Sequence, residues 1–192
     1  MQQYRAQALR ALILTLGAFT ISPDHNLLAY SLDTSGDEIY QLFVKDLSSG
    51  AITTLPFDDC DGSLTWANDN QTLFFAELDD THRPHKLYRH TLGQDGAELV
   101  FEEADGRFFL HCYRSSSERQ LVLLLGSKTT SEVWALDASQ PQQAFTCLAP
   151  RVEDHEYDVD HGLLGGVWTW FIRTNRDGIN FALYQAPDTG VP

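Results

Sequence analysis

The sequence predicts an all-β fold: a partial β-propeller of about four blades, three complete and one nearly complete. Three observations carry this reading. A polar turn followed by a nearly all-apolar strand recurs about every 45–50 residues. A second, amphipathic strand recurs at the same spacing. Hairpin-forming turns fall between them.

The apolar beat appears as Ser22-Pro23-Asp24 before Leu27-Leu28-Ala29-Tyr30. It returns as Trp66-Ala67-Asn68-Asp69 before Leu73-Phe74-Phe75-Ala76, and as Ser116-Ser117-Glu118 before Leu121-Val122-Leu123-Leu124-Leu125. The amphipathic beat reads Gln41-Leu42-Phe43-Val44, Lys86-Leu87-Tyr88-Arg89, Glu132-Val133-Trp134-Ala135 and Ala182-Leu183-Tyr184-Gln185. Asp46-Leu47-Ser48-Ser49-Gly50, Gly93-Gln94-Asp95-Gly96 and Asn175-Arg176-Asp177-Gly178 supply reversals.

In order, residues 1–16 read as an N-terminal helix or disordered lead-in, and 17–192 as the partial propeller. Tyr4, Ala8 and Leu12 share a helical face, and Gly17 is a natural stop. The first blade is expected at 18–22, 27–33, 38–46 and 51–55, and the second at 62–66, 72–78, 85–91 and 97–102. The third is expected at 107–113, 120–126, 131–137 and 143–147, and the last at 157–163, 166–173 and 180–185. Leu121 to Leu125 is apolar at every position, and Val167 to Ile172 nearly so. In an antiparallel sheet that pattern means both faces are covered, which stacked blades provide.

The 192 residues include 13 basic and 27 acidic side chains, a net charge of −14. Phosphate backbones need clustered Lys and Arg, so neither nucleic acid nor an anionic membrane is an expected partner. No apolar run reaches the roughly 18 residues of a membrane span. Arg5 and Arg10 before Ala11 to Leu16 faintly resemble a signal peptide, but the run is short and no cleavage-type site follows. Cys60, Cys112 and Cys147 form no CxxC pair, which suits a reducing cytoplasm.

Several constellations invite chemical readings. No G-x-S-x-G elbow exists: Asp61 and Thr65 stand at the glycine positions around Ser63. Sequence spacing leaves a Ser/His/Asp triad open, since its members can lie far apart. His155-Glu156-Tyr157-Asp158-Val159-Asp160-His161 gathers two imidazoles and three carboxylates. In a strand the histidines share a face but sit about 20 Å apart, too far for one ion. His82, His85 and His90 straddle a turn, and Asp58-Asp59-Cys60-Asp61-Gly62 lacks the ligand spacing of a calcium loop. The expectation is therefore no metal, no cofactor and no catalytic residue. Arg151, His155, Glu156 and Tyr157 are the candidate rim or interdomain contacts.

Phe19-Thr20-Ile21-Ser22-Pro23-Asp24, Ser63 to Asp69 and Lys86-Leu87-Tyr88-Arg89-His90 resemble the propeller of the oligopeptidase B (protease II) branch of the prolyl oligopeptidase family of serine peptidases. So do Thr129 to Val133 and Arg151 to Tyr157, and the similarity covers roughly 17–188. The resemblance implies a seven-bladed ring that caps an α/β-hydrolase domain and restricts access to short peptides cut after Lys or Arg. The family's catalytic Ser, Asp and His lie in that hydrolase domain, so none is carried onto this sequence. The implied role is a non-catalytic propeller fragment whose partners are the hydrolase domain and short basic peptides. The other reading is a free-standing interaction module. Open blade edges imply self-association in either case.

Overall fold

The computed structural model describes residues 14–178 and 180–188. These form fifteen strands in four antiparallel sheets, with no helix among the described residues. The first sheet holds β1 (Thr15–Ile21), β2 (Leu27–Asp33), β3 (Gln41–Asp46) and β4 (Ile52–Thr54). The second holds β5 (Thr65–Trp66), β6 (Thr72–Leu78), β7 (Pro84–Thr91) and β8 (Glu98–Glu102). The third holds β9 (Phe109–Arg114), β10 (Gln120–Gly126), β11 (Ser131–Asp137) and β12 (Thr146–Ala149). The last holds β13 (Tyr157–Leu164), β14 (Val167–Thr174) and β15 (Ala182–Pro187). Within each sheet the strands pair in chain order. β1 touches β5 and β5 touches β9, so the first strands of successive sheets lie side by side. This is the blade arrangement of a propeller.

Three apolar interfaces hold the blades. Between the first two, Ala29, Leu42 and Val44 meet Trp66, Leu73 and Phe75. Between the second and third, Phe74, Ala76 and Leu87 meet Leu110, Leu121, Leu123 and Leu125. Between the third and fourth, Val122, Val133 and Ala135 meet Tyr157, Val159 and Trp170. The unbroken apolar run of β10 follows directly: Leu121, Leu123 and Leu125 face one neighbour while Val122 and Leu124 face the other. β6 divides in the same way, with Leu73 and Phe75 on one side and Phe74 and Ala76 on the other.

Three expectations are corrected. First, strand pairing starts at Thr15, so Thr15 and Leu16 belong to the sheet rather than to a lead-in; residues 1–13 of that expected element lie outside the described residues. Second, pairing in several outer and inner strands is displaced from the anticipated ranges because side chains take the backbone groups. Ser63 donates its N–H to the Asp61 carboxylate, and β5 is only two residues long. Arg89 takes the carbonyls of Pro141 and Gln143, and β12 begins at Thr146. Arg83 takes the carbonyl of Phe108, and β9 begins at Phe109. Third, β14 is covered on one face and only in part on the other, where Thr169 is buried. Trp170 packs against the third blade, but Val167 on the opposite face is 56% exposed. The first blade is likewise open on its outer side, where Phe19 and Ile21 are exposed and Tyr30 stacks on Phe43 at 5.1 Å.

Candidate functional site

The loop from β12 into β13 carries the four residues singled out in the sequence. Arg151 is tied inside the propeller. Its Nε donates to Glu132 Oε2 at 3.0 Å and its guanidinium reaches Glu103 Oε2 at 2.5 Å. The guanidinium also lies 3.9 Å from the centre of the Phe108 ring. Glu103 and Glu132 are both buried and come from the second and third blades. Burial opposes the arginine charge, yet its hydrogen bonds to Glu132 and Glu103 raise its pKa above the ordinary value. Burial would likewise raise Glu132, but donation from Arg151 and Trp134 wins and holds it below the usual range.

His155 turns its Nε2 to the Thr174 hydroxyl at 2.7 Å and stacks on Tyr157. Glu156 joins the sheet through its backbone: its N–H donates to Asn175 Oδ1 and its carbonyl accepts the Asn175 N–H. Tyr157 is buried. Its hydroxyl donates to the Ala149 carbonyl at 2.5 Å and accepts the Val133 N–H at 3.0 Å. Burial is the main cause that pushes its pKa up to about 12. Together these residues close the joint between the third and fourth blades. Beside them a cavity of about 750 Å³ opens, lined by Leu148, Val159, Trp170, Ile172, Tyr184 and Ala186 among others.

The other histidines do not converge. His90 directs Nδ1 to the Gly96 carbonyl at 2.6 Å, and its ring packs edge-on against Phe57. His82 occupies a turn with φ of 60°. Among the described residues no group of three or more His, Cys, Asp and Glu is placed to hold a metal ion. Cys60 and Cys112 are buried, and burial raises both thiols, Cys112 to about 12. That keeps both in the unreactive thiol form.

Sequence reasoning missed one constellation. Ser117, His161 and Asp188 meet across two blades. Ser117 Oγ lies 2.6 Å from His161 Nδ1, and Asp188 Oδ2 lies 3.1 Å from Nε2. The residue types match a hydrolase triad, but the setting does not. In such a triad Nε2 faces the serine and Nδ1 the aspartate, the reverse of this arrangement. The imidazole is wholly buried, stacked on Trp168 and tilted against Trp170. Ser117 Oγ is further occupied by Ser115 Oγ at 3.0 Å and the Arg119 N–H at 3.2 Å. No local pattern announces this cluster, because its members fall in three separate turns and strands.

Radially stacked antiparallel sheets define a β-propeller domain. Residues 12–189 match the family described as "Prolyl oligopeptidase, N-terminal beta-propeller domain". The chain is 35% identical over 176 residues to Dipeptidyl aminopeptidase BI of Pseudoxanthomonas mexicana, covering 90% of this chain and 24% of that protein. It is 32% identical over 173 residues to Protease 2 of Moraxella lacunata, covering 87% and 24% respectively. The structure of oligopeptidase B from Leishmania major superposes with a TM-score of 0.81 at 27% identity, over 92% of this chain and 25% of that one. The chain belongs to the prolyl oligopeptidase family, as part of its N-terminal propeller. It spans about a quarter of the length of these curated relatives.

Proposed function

We propose that this propeller walls the approach to a hydrolase active site and admits short peptides, favouring those with Lys or Arg. One observation carries the reading: the described residues form a stacked scaffold whose Ser/His/Asp meeting has its imidazole wholly buried and its ring nitrogens turned opposite to a hydrolase triad. Turnover therefore belongs to a separate hydrolase domain. The charge of −14 supports a preference for cationic peptides, since an acidic wall steers them by long-range attraction. The free thiols fit a reducing cytoplasm.

A fluorogenic Arg-amide assay tests this. The chain alone is expected to show no turnover. A separately expressed hydrolase domain is expected to change its size selectivity for peptides when this chain is added, and the effect weakens with salt. Turnover by the chain alone that a serine-directed inhibitor blocks contradicts the assignment. Capture of basic peptides that is indifferent to ionic strength removes the charge argument.

The open outer faces favour a second reading for the isolated chain, as a module that binds other protein. Phe19, Ile21 and Ile52 on the first blade and Val167 and Leu183 on the last are exposed. Apolar surface of this kind drives association, so the isolated chain is expected to dimerise. Light scattering that reports a monomer at high concentration contradicts this.

A further inference from the structure

His161 lies in β13, yet its side chain touches the β9–β10 turn, the two tryptophans of β14 and the segment beyond β15. Its Nδ1 meets Ser117 in the β9–β10 turn of the third blade, and its carbonyl accepts the Ser117 N–H at 2.8 Å. Its Nε2 approaches Asp188, just beyond β15, whose own N–H donates to the Trp168 carbonyl at 2.8 Å. The ring is 0% exposed. The Nε2 contact is a short polar approach and not a well-aligned hydrogen bond. It still decides the proton's place. A carboxylate only accepts, so a ring nitrogen facing one must carry the hydrogen rather than a lone pair. With Nε2 protonated, Nδ1 of the neutral ring is an acceptor, and the Ser117 hydroxyl donates to it. The same hydroxyl oxygen then accepts the Arg119 N–H.

We propose that His161 is a tautomer-locked latch through which Asp188 at the end of the last strand and Ser117 in the neighbouring blade are coupled. The latch holds β15 onto the third blade. It acts through position and hydrogen bonding, not through reaction.

The test combines imidazole 15N NMR with amide exchange in β15. In the parent chain His161 shows a protonated Nε2 and an unprotonated Nδ1. Asp188→Ala mixes the two tautomers, whereas Asp188→Asn, whose amide oxygen still accepts, retains the first. Ser117→Ala speeds exchange at the Leu183–Ala186 amides about three- to tenfold, the reach of one neutral hydrogen bond. In a His161→Phe background, which fills the space between the tryptophans, Ser117→Ala adds nothing further. The proposal is overturned by an Nδ1-protonated ring in the parent chain. It is equally overturned if Ser117→Ala leaves β15 exchange unchanged, or changes it equally with and without the imidazole.

Discussion

Two glycines show how single positions hold this fold. Tyr40 is clamped between Gly17 and Gly62. A Cβ on Gly17 would lie 2.6 Å from Tyr40 Cε1, and one on Gly62 2.8 Å from Tyr40 Cγ. Gly62 also has φ of +88°, a left-handed conformation that strains any side chain. Gly62→Ala is expected to cost about 1–3 kcal/mol in urea unfolding. The two positions separate when the ring is removed. In a Tyr40→Ala background Gly17→Ala is relieved of the ring but still meets Ser31 Oγ at 2.6 Å, while Gly62→Ala keeps its backbone penalty. Arg151 is the second case. Replacing it with Ala leaves Glu103 and Glu132 buried and uncompensated, at a cost of about 3 kcal/mol, measurable as a lower denaturant midpoint. An unchanged midpoint contradicts the structural role of these ion pairs.

At the scale of elements, most of the fold was legible in the sequence. β6 and β10 announced themselves because an apolar strand covered on both faces has few alternatives, β2 by the polar turn before its apolar run, and β11 by its amphipathic beat. β5 and β12 were harder, since their limits depend on Asp61 and Arg89 capturing groups that sequence pattern alone does not assign. The candidate site was legible only in part. Arg151, His155, Glu156 and Tyr157 stood out as a cluster, but their partners Glu103, Thr174 and Asn175 are distant in sequence. Ser117, His161 and Asp188 were invisible as a set, because blade packing brings Ser117 to His161 and the pairing of the last sheet brings Asp188. The turn carboxylates bear a consequence in acid. The Gly36 N–H beside Asp33, the Ser48 hydroxyl beside Asp46 and the Arg107 guanidinium beside Asp105 each hold a pKa near about 2. Glu132 is lowered too. The unfolded chain binds more protons than the folded one below the ordinary carboxylate range, so their stabilisation is present above it and lost as pH falls toward about 2. Asp61, raised by burial, acts oppositely, its contribution being present in acid and lost as pH rises through its folded value. The larger set dominates, and the urea midpoint is expected to fall between about pH 5 and pH 2. A midpoint that rises over that range contradicts the assignment.

On the scale of the whole molecule, stability should be graded along the stack. The second and third blades each have a sheet on both sides, while the first and last blades are open on one. No blade can bury both faces by itself, so protection depends on neighbours, as in other quasi-linear repeats. The same gradient explains the apolar composition of β6 and β10 and the exposed Phe19 and Val167 at the two ends.

Native-state amide exchange, resolved strand by strand, tests this radial stacking most directly. The stacked-blade arrangement predicts the slowest exchange in β6, β7, β10 and β11, with β1 and β15 the fastest of the paired strands. Equal protection in all four sheets, or the strongest protection in β1 and β15, contradicts it.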